Sequence, residues 1–506
     1  MTARRRTKIV ATLGPASSSI ETIERLIQAG LDVARLNFSH GTPDEHRQRV
    51  ERVRRIAAEN GRFVAIMGDL QGPKIRIARF AHTQIELRVG QHFTLSNQYP
   101  ADAGNEQIVG IDYPSLVDDC HPGDELLLDD GRIVLRVESR DAHAVHTTVL
   151  TGGTLSNNKG INRKGGGISA PSLTTKDDHD IVLAAELELD YIAVSFPRSA
   201  QDIQEARRRI RAAGSSAWVI AKIERAEAVA DDATLDAIIQ ASDGVMVARG
   251  DLGVEIGDAR LVGIQKRIIR HARALNKLVI TATQMMESMV NSPIPTRAEV
   301  SDVANAVLDF TDAVMLSSES ASGNYPVETV AAMARVCAGA EQEPSTIKSN
   351  HRLGETFERC DETIALSAMY AANHFPGVKA IISLTESGHT PLIMSRIRSA
   401  VPIYCFTRHA HTLQRAALFR GVYPVLFDAS HTTADVMDYA VNTLRAQGAL
   451  MPGDWVVVTR GDFQHTQAES GTASTTTRHD PTADANTNHH PASPGTNTLK
   501  IVQVHA

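Results

Sequence analysis

Val219-Ile220-Ala221-Lys222-Ile223-Glu224 and, one helix length further on, Gly244-Val245-Met246-Val247-Ala248-Arg249-Gly250-Asp251 are two short apolar runs that each end in charged residues. A β-branched run too short for a helix, followed by a segment of helical period and a second such run, is a βα unit. Counted outward from this pair, the same unit recurs along most of the chain. The runs are Lys8 to Leu13, Val33 to Asn37, Val64 to Met67, Tyr191 to Val194, Val219 to Ile223, Gly244 to Val247, Leu278 to Thr281 and Ala313 to Leu316. Helix starts between them are recognisable. Thr42-Pro43-Asp44-Glu45 reads as an N-cap, a proline at the first helical position and a glutamate three after the cap, with Gly61 closing that helix.

Eight βα units predict a TIM barrel, although a doubly wound sheet shares the local pattern. The polar residues favour the barrel. Arg35, Asn37, Ser39, Asp69, Ser195, Lys222, Glu224, Arg249, Asp251, Thr283, Ser317 and Glu319 stand at or just past the carboxyl ends of seven strands. Any one could be a turn or capping residue; together they predict one mouth, because only a closed barrel makes neighbours of positions so far apart.

The third unit is stretched. Between Asp69 and the helix expected near Thr175, Gln84 to Leu95, Asp124 to Leu128 and Arg132 to Val137 read as antiparallel strands, the last two joined across Asp130-Gly131. The reading is a barrel of residues 1–71 and 171–345 interrupted by a β-rich lid domain at 72–170, placed to exclude water from the mouth. A C-terminal α/β domain at 355–506 follows, with strands at Ala380 to Leu384, Ile403 to Phe406, Pro424 to Phe427 and Trp455 to Val458. From Phe463 to Thr498 there is no Ile, Leu, Val, Met, Trp or Tyr, which predicts a disordered loop. Leu499 to Val504 reads as a strand returning to a core.

Composition narrows the class. The 506 residues carry 52 Lys+Arg against 59 Asp+Glu, a net charge of −7, with 42% hydrophobic residues. That is the balance of a globular protein and not of a nucleic-acid binder. Cys120, Cys337, Cys360 and Cys405 include no C-x-x-C pair, so reduced thiols are expected. No apolar run reaches the ~18 residues of a spanning helix, and the first residues lack a signal-peptide core. No membrane association and a cytoplasmic location are expected.

The charged ends of the opening runs carry the chemistry. Lys222 and Glu224 alternate across a strand and share a face, and Asp251 ends the next strand. Two carboxylates without a His or Cys partner favour a hard divalent cation, Mg²⁺ before zinc. Arg35, Lys222 and Arg76 add cationic groups, and Gly250-Asp251-Leu252-Gly253 offers backbone N–H groups to an anion. A metal and cations around a phosphate-bearing substrate point to phosphoryl transfer, without a Walker A loop.

At this point six strings coincide. Thr7-Lys8-Ile9-Val10-Ala11-Thr12-Leu13-Gly14-Pro15-Ala16-Ser17, Ala34-Arg35-Leu36-Asn37-Phe38-Ser39-His40-Gly41, Asp69-Leu70-Gln71-Gly72-Pro73-Lys74-Ile75-Arg76, Ala221-Lys222-Ile223-Glu224, Ala248-Arg249-Gly250-Asp251-Leu252-Gly253-Val254-Glu255 and Ala282-Thr283-Gln284-Met285-Met286-Glu287-Ser288-Met289 resemble the pyruvate kinase family in order and spacing. The match runs from Thr7 to about Asp462, and the DLQGPKIR form is similar to one bacterial subgroup. The resemblance implies conversion of phosphoenolpyruvate and ADP to pyruvate and ATP. It implies Glu224 and Asp251 as ligands of Mg²⁺, for which Mn²⁺ can substitute, and Arg35 on the phosphate. Gly250, Asp251 and Thr283 would receive the substrate carboxylate, Lys222 would neutralise the moving phosphoryl group, and Thr283 would help route a proton. Nucleotide contacts would come from Arg35, Asn37, His40, Arg76 and Lys159, and a homotetramer is implied.

Many family members require K⁺, which the resemblance places at Asn37, Ser39, Asp69 and a threonine whose position is Leu70 here. Lys74 stands where those members carry a glutamate. Glutamate plus K⁺ sums to zero while Lys74 alone supplies +1, and at ~4 Å a unit charge is worth about 4 kcal/mol at an effective dielectric of 20. A tethered ammonium in that pocket predicts activity without K⁺. In the C-terminal segment, Thr385, Ser387, Gly388, His389 and Thr390, before a helix opening near Pro391, resemble an effector loop for a sugar phosphate or AMP, a capping turn being the equal alternative. Two other functions fit less well. A dikinase- or synthase-type barrel passes phosphate through a histidine on a swivelling domain that has no counterpart here, and a silent homologue would not need Lys222, Glu224, Asp251 and Thr283 together.

Overall fold

In the computed structural model, residues 4–347, 352–427, 436–461 and 496–505 are described. They form two compact units, 1–346 with 417–421, and 347–416 with 422–506.

The first unit contains a closed eight-stranded parallel barrel. Its strands are β1 (Lys8–Leu13), β2 (Val33–Asn37), β3 (Ala65–Asp69), β4 (Tyr191–Val194), β5 (Trp218–Ile223), β6 (Gly244–Ala248), β7 (Leu278–Ala282) and β8 (Ala313–Leu316). Each pairs with its neighbours in sequence, and β8 closes on β1 through the register Lys8↔Ala313 to Ala11↔Leu316. Nearly every strand residue is buried, which is why the strands read as continuous apolar runs and not as alternations. The helix Pro43–Glu59 starts as expected: the Thr42 hydroxyl accepts from the Glu45 N–H at 3.3 Å, and Glu45 accepts from the Thr42 N–H at 2.8 Å.

One remote piece completes the floor of the barrel, where its strands begin. Residues 417–421 belong to this unit. Phe419 stacks on Trp218 at 5.8 Å, and the buried Arg420 guanidinium lies 4.5 Å over the Phe310 ring and donates to the Thr311 carbonyl at 3.1 Å. The N–H of Gly421 donates to the Arg6 carbonyl at 2.9 Å.

The insertion after β3 has its own core, built from Ile77, Phe80, Phe93, Leu95, Leu126, Leu135 and Val149 among others. It holds a six-stranded sheet and a two-stranded one. The expected single strand from Gln84 to Leu95 is two strands, Gln84–Leu87 and His92–Ser96, in different sheets. Gly90, at φ +83°, turns the chain between them, and Val89 is left exposed there. The hairpin at Asp130-Gly131 is wider than a two-residue turn: Asp129, Asp130 and Gly131 all have positive φ between Glu125–Leu128 and Ile133–Arg140.

The second unit carries a five-stranded sheet: Val422–Leu426, Ile403–Thr407, Val378–Leu384 and Trp455–Arg460 run parallel, and Thr498–Gln503 is an antiparallel edge. Of the stretch expected to be a loop, residues 463–495 lie outside the described residues. Thr496 is buried against Thr390, and Thr498 already pairs with Arg460, so the returning strand starts earlier than its apolar residues suggest. The helix expected near Pro391 is His389–Ser395, opened by Gly388 at φ +81°.

Candidate active site

Lys222 is the centre of the mouth. It sits next to last on β5, so its side chain points into the barrel while Ala221 and Ile223 pack into the surrounding core. Its ammonium lies 3.0 Å from Glu224, 3.2 Å from Asp69 and 2.7 Å from the Ser195 hydroxyl, which donates in turn to the Leu70 carbonyl at 2.7 Å. Burial works against this charge, but Asp69 and Glu224 outweigh it and hold the Lys222 pKa above that of an ordinary lysine.

Asp69 ends β3 and is 1% exposed. It also accepts from Arg35 of β2, with Nε at 2.7 Å, and the Arg35 guanidinium reaches the Thr12 hydroxyl of β1 at 2.8 Å. Burial raises the Asp69 pKa, and Lys222 and Arg35 more than reverse it, so the carboxylate is held ionised. Glu224 follows β5 and accepts from the Phe196 N–H at 2.9 Å. Burial pushes its pKa up, Lys222 opposes, and Asp251 pushes it up again, to about 6. Asp251 lies in the helix Arg249–Ile256 that opens directly from β6. Thr283, at φ +67° past β7, accepts from the Gly250 N–H at 2.9 Å and donates to the Ala282 carbonyl at 2.6 Å.

The remaining expected residues divide. The Asn37 side chain accepts from the Ser39 N–H at 3.1 Å, and the His40 N–H donates to the Asn37 carbonyl at 3.1 Å, so this turn folds on itself beside Asp69. Arg76 donates to the Asn158 carbonyl at 2.9 Å, and Lys159 pairs with Asp129 at 2.6 Å; both are held inside the inserted domain. Lys74 does not reach Asn37, Ser39 or Asp69. Its ion pair is with Asp251, at 3.7 Å, because the chain turns at Gly72, φ +64°, and carries Lys74 toward the β6 side of the mouth. Arg249 also leaves the mouth: it pairs with Asp302 at 2.7 Å and donates to the Thr283 carbonyl at 2.6 Å, buttressing the turn after β7. Glu319, 1% exposed, accepts from the N–H groups of Ser317 and Met286 and so works as a turn-closing residue.

A narrow cleft runs between the mouth and the inserted domain, lined by Lys74, Asn162, Phe196, Arg225, Asp251 and Glu255 among others. Arg225 and Glu255 were not expected from sequence: they are buried, 3.2 Å apart, and burial pushes the Glu255 pKa up to about 7. Thr12 was likewise missed, although its place one residue before the end of β1 is the rim signal used elsewhere.

In the second unit, the Thr385 hydroxyl accepts from the Gly388 N–H at 3.0 Å, and the Ser387 hydroxyl from the His389 N–H at 3.3 Å. Thr390 is buried and bonds Thr496 at 2.6 Å, and His389 lies 3.5 Å from Asp361. These bonds fold the loop on itself just before the helix, whose N-cap is Gly388.

Known proteins match over this whole arrangement. A family model described as "Pyruvate kinase, barrel domain" matches residues 4–330, and one described as "Pyruvate kinase, alpha/beta domain" matches residues 362–476. The chain is 57% identical over 468 residues to pyruvate kinase II of Salmonella typhimurium, covering 92% of this chain and 98% of that protein. It is 55% identical over 463 residues to a pyruvate kinase of Haemophilus influenzae, covering 92% and 97%. The crystal structure of a pyruvate kinase from Cryptosporidium parvum superposes with a TM-score of 0.87 at 33% identity, over 99% of this chain and 96% of that one. With a closed barrel that gathers Arg35, Asp69, Lys222, Glu224, Asp251 and Thr283 at one mouth, and relatives of this identity along nearly its full length, the chain belongs to the pyruvate kinase family of enzymes.

Proposed function

We propose that this enzyme transfers the phosphoryl group of phosphoenolpyruvate to ADP, giving pyruvate and ATP as the final step of glycolysis in the cytoplasm, and that the reaction depends on Mg²⁺. The observation that carries the reading is Lys222: a half-buried ammonium held between the buried carboxylates of Asp69 and Glu224, with Arg35 on the far side of Asp69, is a preorganised positive centre.

Glu224 and Asp251 would hold the divalent cation. Their donor set, two carboxylates without nitrogen or sulfur, suits a hard ion, and the repulsion that helps push Glu224 up to about 6 is what a bound cation relieves. Water and substrate oxygens would supply the other ligands, as is usual for Mg²⁺. When bound, Mg²⁺ neutralises charge on the polyanionic substrate.

The protein's own groups do the rest. Arg35 binds the phosphoryl group, and the Lys222 ammonium follows it as the bond to the enol oxygen breaks and the bond to the terminal oxygen of ADP forms. The Gly250 and Asp251 backbone and the Thr283 hydroxyl receive the substrate carboxylate, the hydroxyl giving up its donation to the Ala282 carbonyl and the Gly250 N–H its bond to that hydroxyl. Thr283 then helps deliver the proton that turns the enolate carbon into the methyl group of pyruvate. Arg35, Asn37, His40, Arg76 and Lys159 contact the nucleotide, and the inserted domain, residues 72–170, covers the mouth as a lid. Mn²⁺ substitutes for Mg²⁺.

Lys74 and Leu70 support K⁺-independent turnover. The charge acts from beside Asp251, on a partly exposed side chain, so the ~4 kcal/mol scale falls toward about 1 kcal/mol. The loop Thr385, Ser387, Gly388, His389 and Thr390 binds a phosphorylated effector, a sugar phosphate or AMP, and the enzyme is a homotetramer. The deciding assay is pyruvate formation from phosphoenolpyruvate with ADP and Mg²⁺, with and without K⁺, in tetramethylammonium buffer. No pyruvate under any of these conditions refutes the activity, and a large rise on adding KCl refutes the role given to Lys74.

A further inference from the structure

The seam between the inserted domain and the barrel is built on three residues that follow the two proposed cation ligands in the chain. Arg225 comes directly after Glu224, Glu227 two residues later, and Glu255 one helical turn after Asp251. Glu255 is 2% exposed. One of its carboxylate oxygens accepts from the Ala226 N–H at 2.8 Å, and the other lies 3.2 Å from the Arg225 guanidinium. The helix that carries Asp251 is thereby tied to the segment that carries Glu224.

The same residues hold the returning strand of the inserted domain. Asn162 donates to Glu255 at 3.5 Å, and the Gly165 N–H donates to the Glu255 carbonyl at 3.0 Å. The Gly167 N–H donates to Glu227 at 2.5 Å, and Arg225 reaches the Ile168 carbonyl at 3.3 Å and Glu227 at 3.1 Å. Gly165, Gly166 and Gly167 all have φ between +81° and +95°, and a Cβ on Gly166 would come within 2.4 Å of the Glu227 carboxylate. A glycine at position 166 lets the chain past the strand run this close to the Glu227 carboxylate.

We infer that Glu255 is a positioning residue for the divalent-cation site: by binding Ala226 and Arg225 it sets the spacing of Glu224 and Asp251, and through Asn162 and Gly165 it makes that spacing depend on the docked inserted domain. The inference rests on the assignment of Glu224 and Asp251 as cation ligands made above. Groups that orient ligands without touching the metal commonly change its affinity by 10- to 100-fold.

The test measures Mn²⁺ binding to the full-length protein by electron paramagnetic resonance of the free ion, without substrate, alongside thermal melts. Glu255→Gln keeps an acceptor but loses the charge facing Arg225, and it weakens Mn²⁺ binding by about tenfold. Asn162→Ala, on the inserted domain, weakens it by a smaller factor. Lys164→Ala, which breaks a surface pair with Glu125 wholly inside that domain, leaves it unchanged. Wild-type affinity in both Glu255→Gln and Asn162→Ala overturns the inference, as does a loss in Lys164→Ala equal to that in Asn162→Ala. If Glu255→Gln does not fold, Asn162→Ala decides alone. Glu224→Gln separates the two levels: if it leaves Mn²⁺ binding intact, the ligand assignment fails and this inference with it. If it abolishes binding while Glu255→Gln and Asn162→Ala do not change it, only this inference fails.

Discussion

Replacing Lys222 with methionine removes the one cation that faces both Asp69 and Glu224 and keeps the volume of the side chain. At 3.0 and 3.2 Å and an effective dielectric of 20, each contact supplies about 5 kcal/mol of attraction, about 10 kcal/mol together. Most of that offsets the cost of burying the three charges. What the substitution loses is therefore the penalty of leaving two buried carboxylates with Arg35 alone, about 3–5 kcal/mol. The expected outcome is a fall in melting temperature on the order of 10 °C. Neutralising one carboxylate as well, in Lys222→Met/Glu224→Gln, removes the orphaned charge and restores most of the stability. Turnover does not return: loss of a preorganised charge at the transferring group costs on the order of 10³ in kcat, and the double variant has also lost a proposed cation ligand. The readouts are differential scanning calorimetry and coupled detection of pyruvate. A Lys222→Met protein that melts with the wild type, or a double variant less stable than the single one, refutes the electrostatic account. Undiminished turnover refutes the catalytic one.

Three further outcomes follow from the geometry. Lys74→Glu puts a carboxylate where the ammonium faced Asp251, so velocity in K⁺-free buffer drops by about tenfold and KCl restores it, which a salt titration reads directly. Gly72→Ala places a Cβ 2.7 Å from the Ser195 Cβ at φ +64°; strain of about 1–3 kcal/mol lowers the melting temperature, and displacement of Ser195 from Lys222 lowers kcat with it. His46 is packed edge-on against Phe38 at 5.0 Å, and burial, then Arg49, depress its pKa from 6.5 to about 4. The unfolded chain binds the proton more readily, so the contribution of neutral His46 is complete above pH 6.5 and is lost as pH falls toward 4. Melting temperature against pH should be flatter in His46→Gln, and a parallel curve counts against this.

The barrel was legible because its strands are buried on both faces and its polar residues cluster at strand ends, two patterns that local sequence carries in full. The same pattern anticipated that Lys222, Glu224 and Asp251 would stand together at the mouth. Arg249 satisfied the same rule yet turned away, since nothing local encodes Asp302 or the Thr283 carbonyl as its partners. Lys74 was recognised as a charge change, but its direction depends on the backbone turn at Gly72. Arg225 and Glu255 escaped altogether, because the partners that give each its meaning are separated by about thirty residues of ordinary helix and strand and by the inserted domain. In the inserted domain, the split at Gly90 was hidden by an apolar valine that the fold leaves in water.

Phe419, Arg420 and Gly421 complete the barrel floor from a position some seventy residues beyond its last βα unit. During synthesis the eight strands are therefore all outside the ribosome well before their base is finished. Until residue 421 emerges, Trp218 lacks its stacking partner and Thr311 its guanidinium donor. A chain truncated after residue 346 reproduces that unfinished state permanently. Expression of the isolated barrel should accordingly give aggregation-prone material, and the order in which the ribosome releases the polypeptide sets when the catalytic unit can first become native.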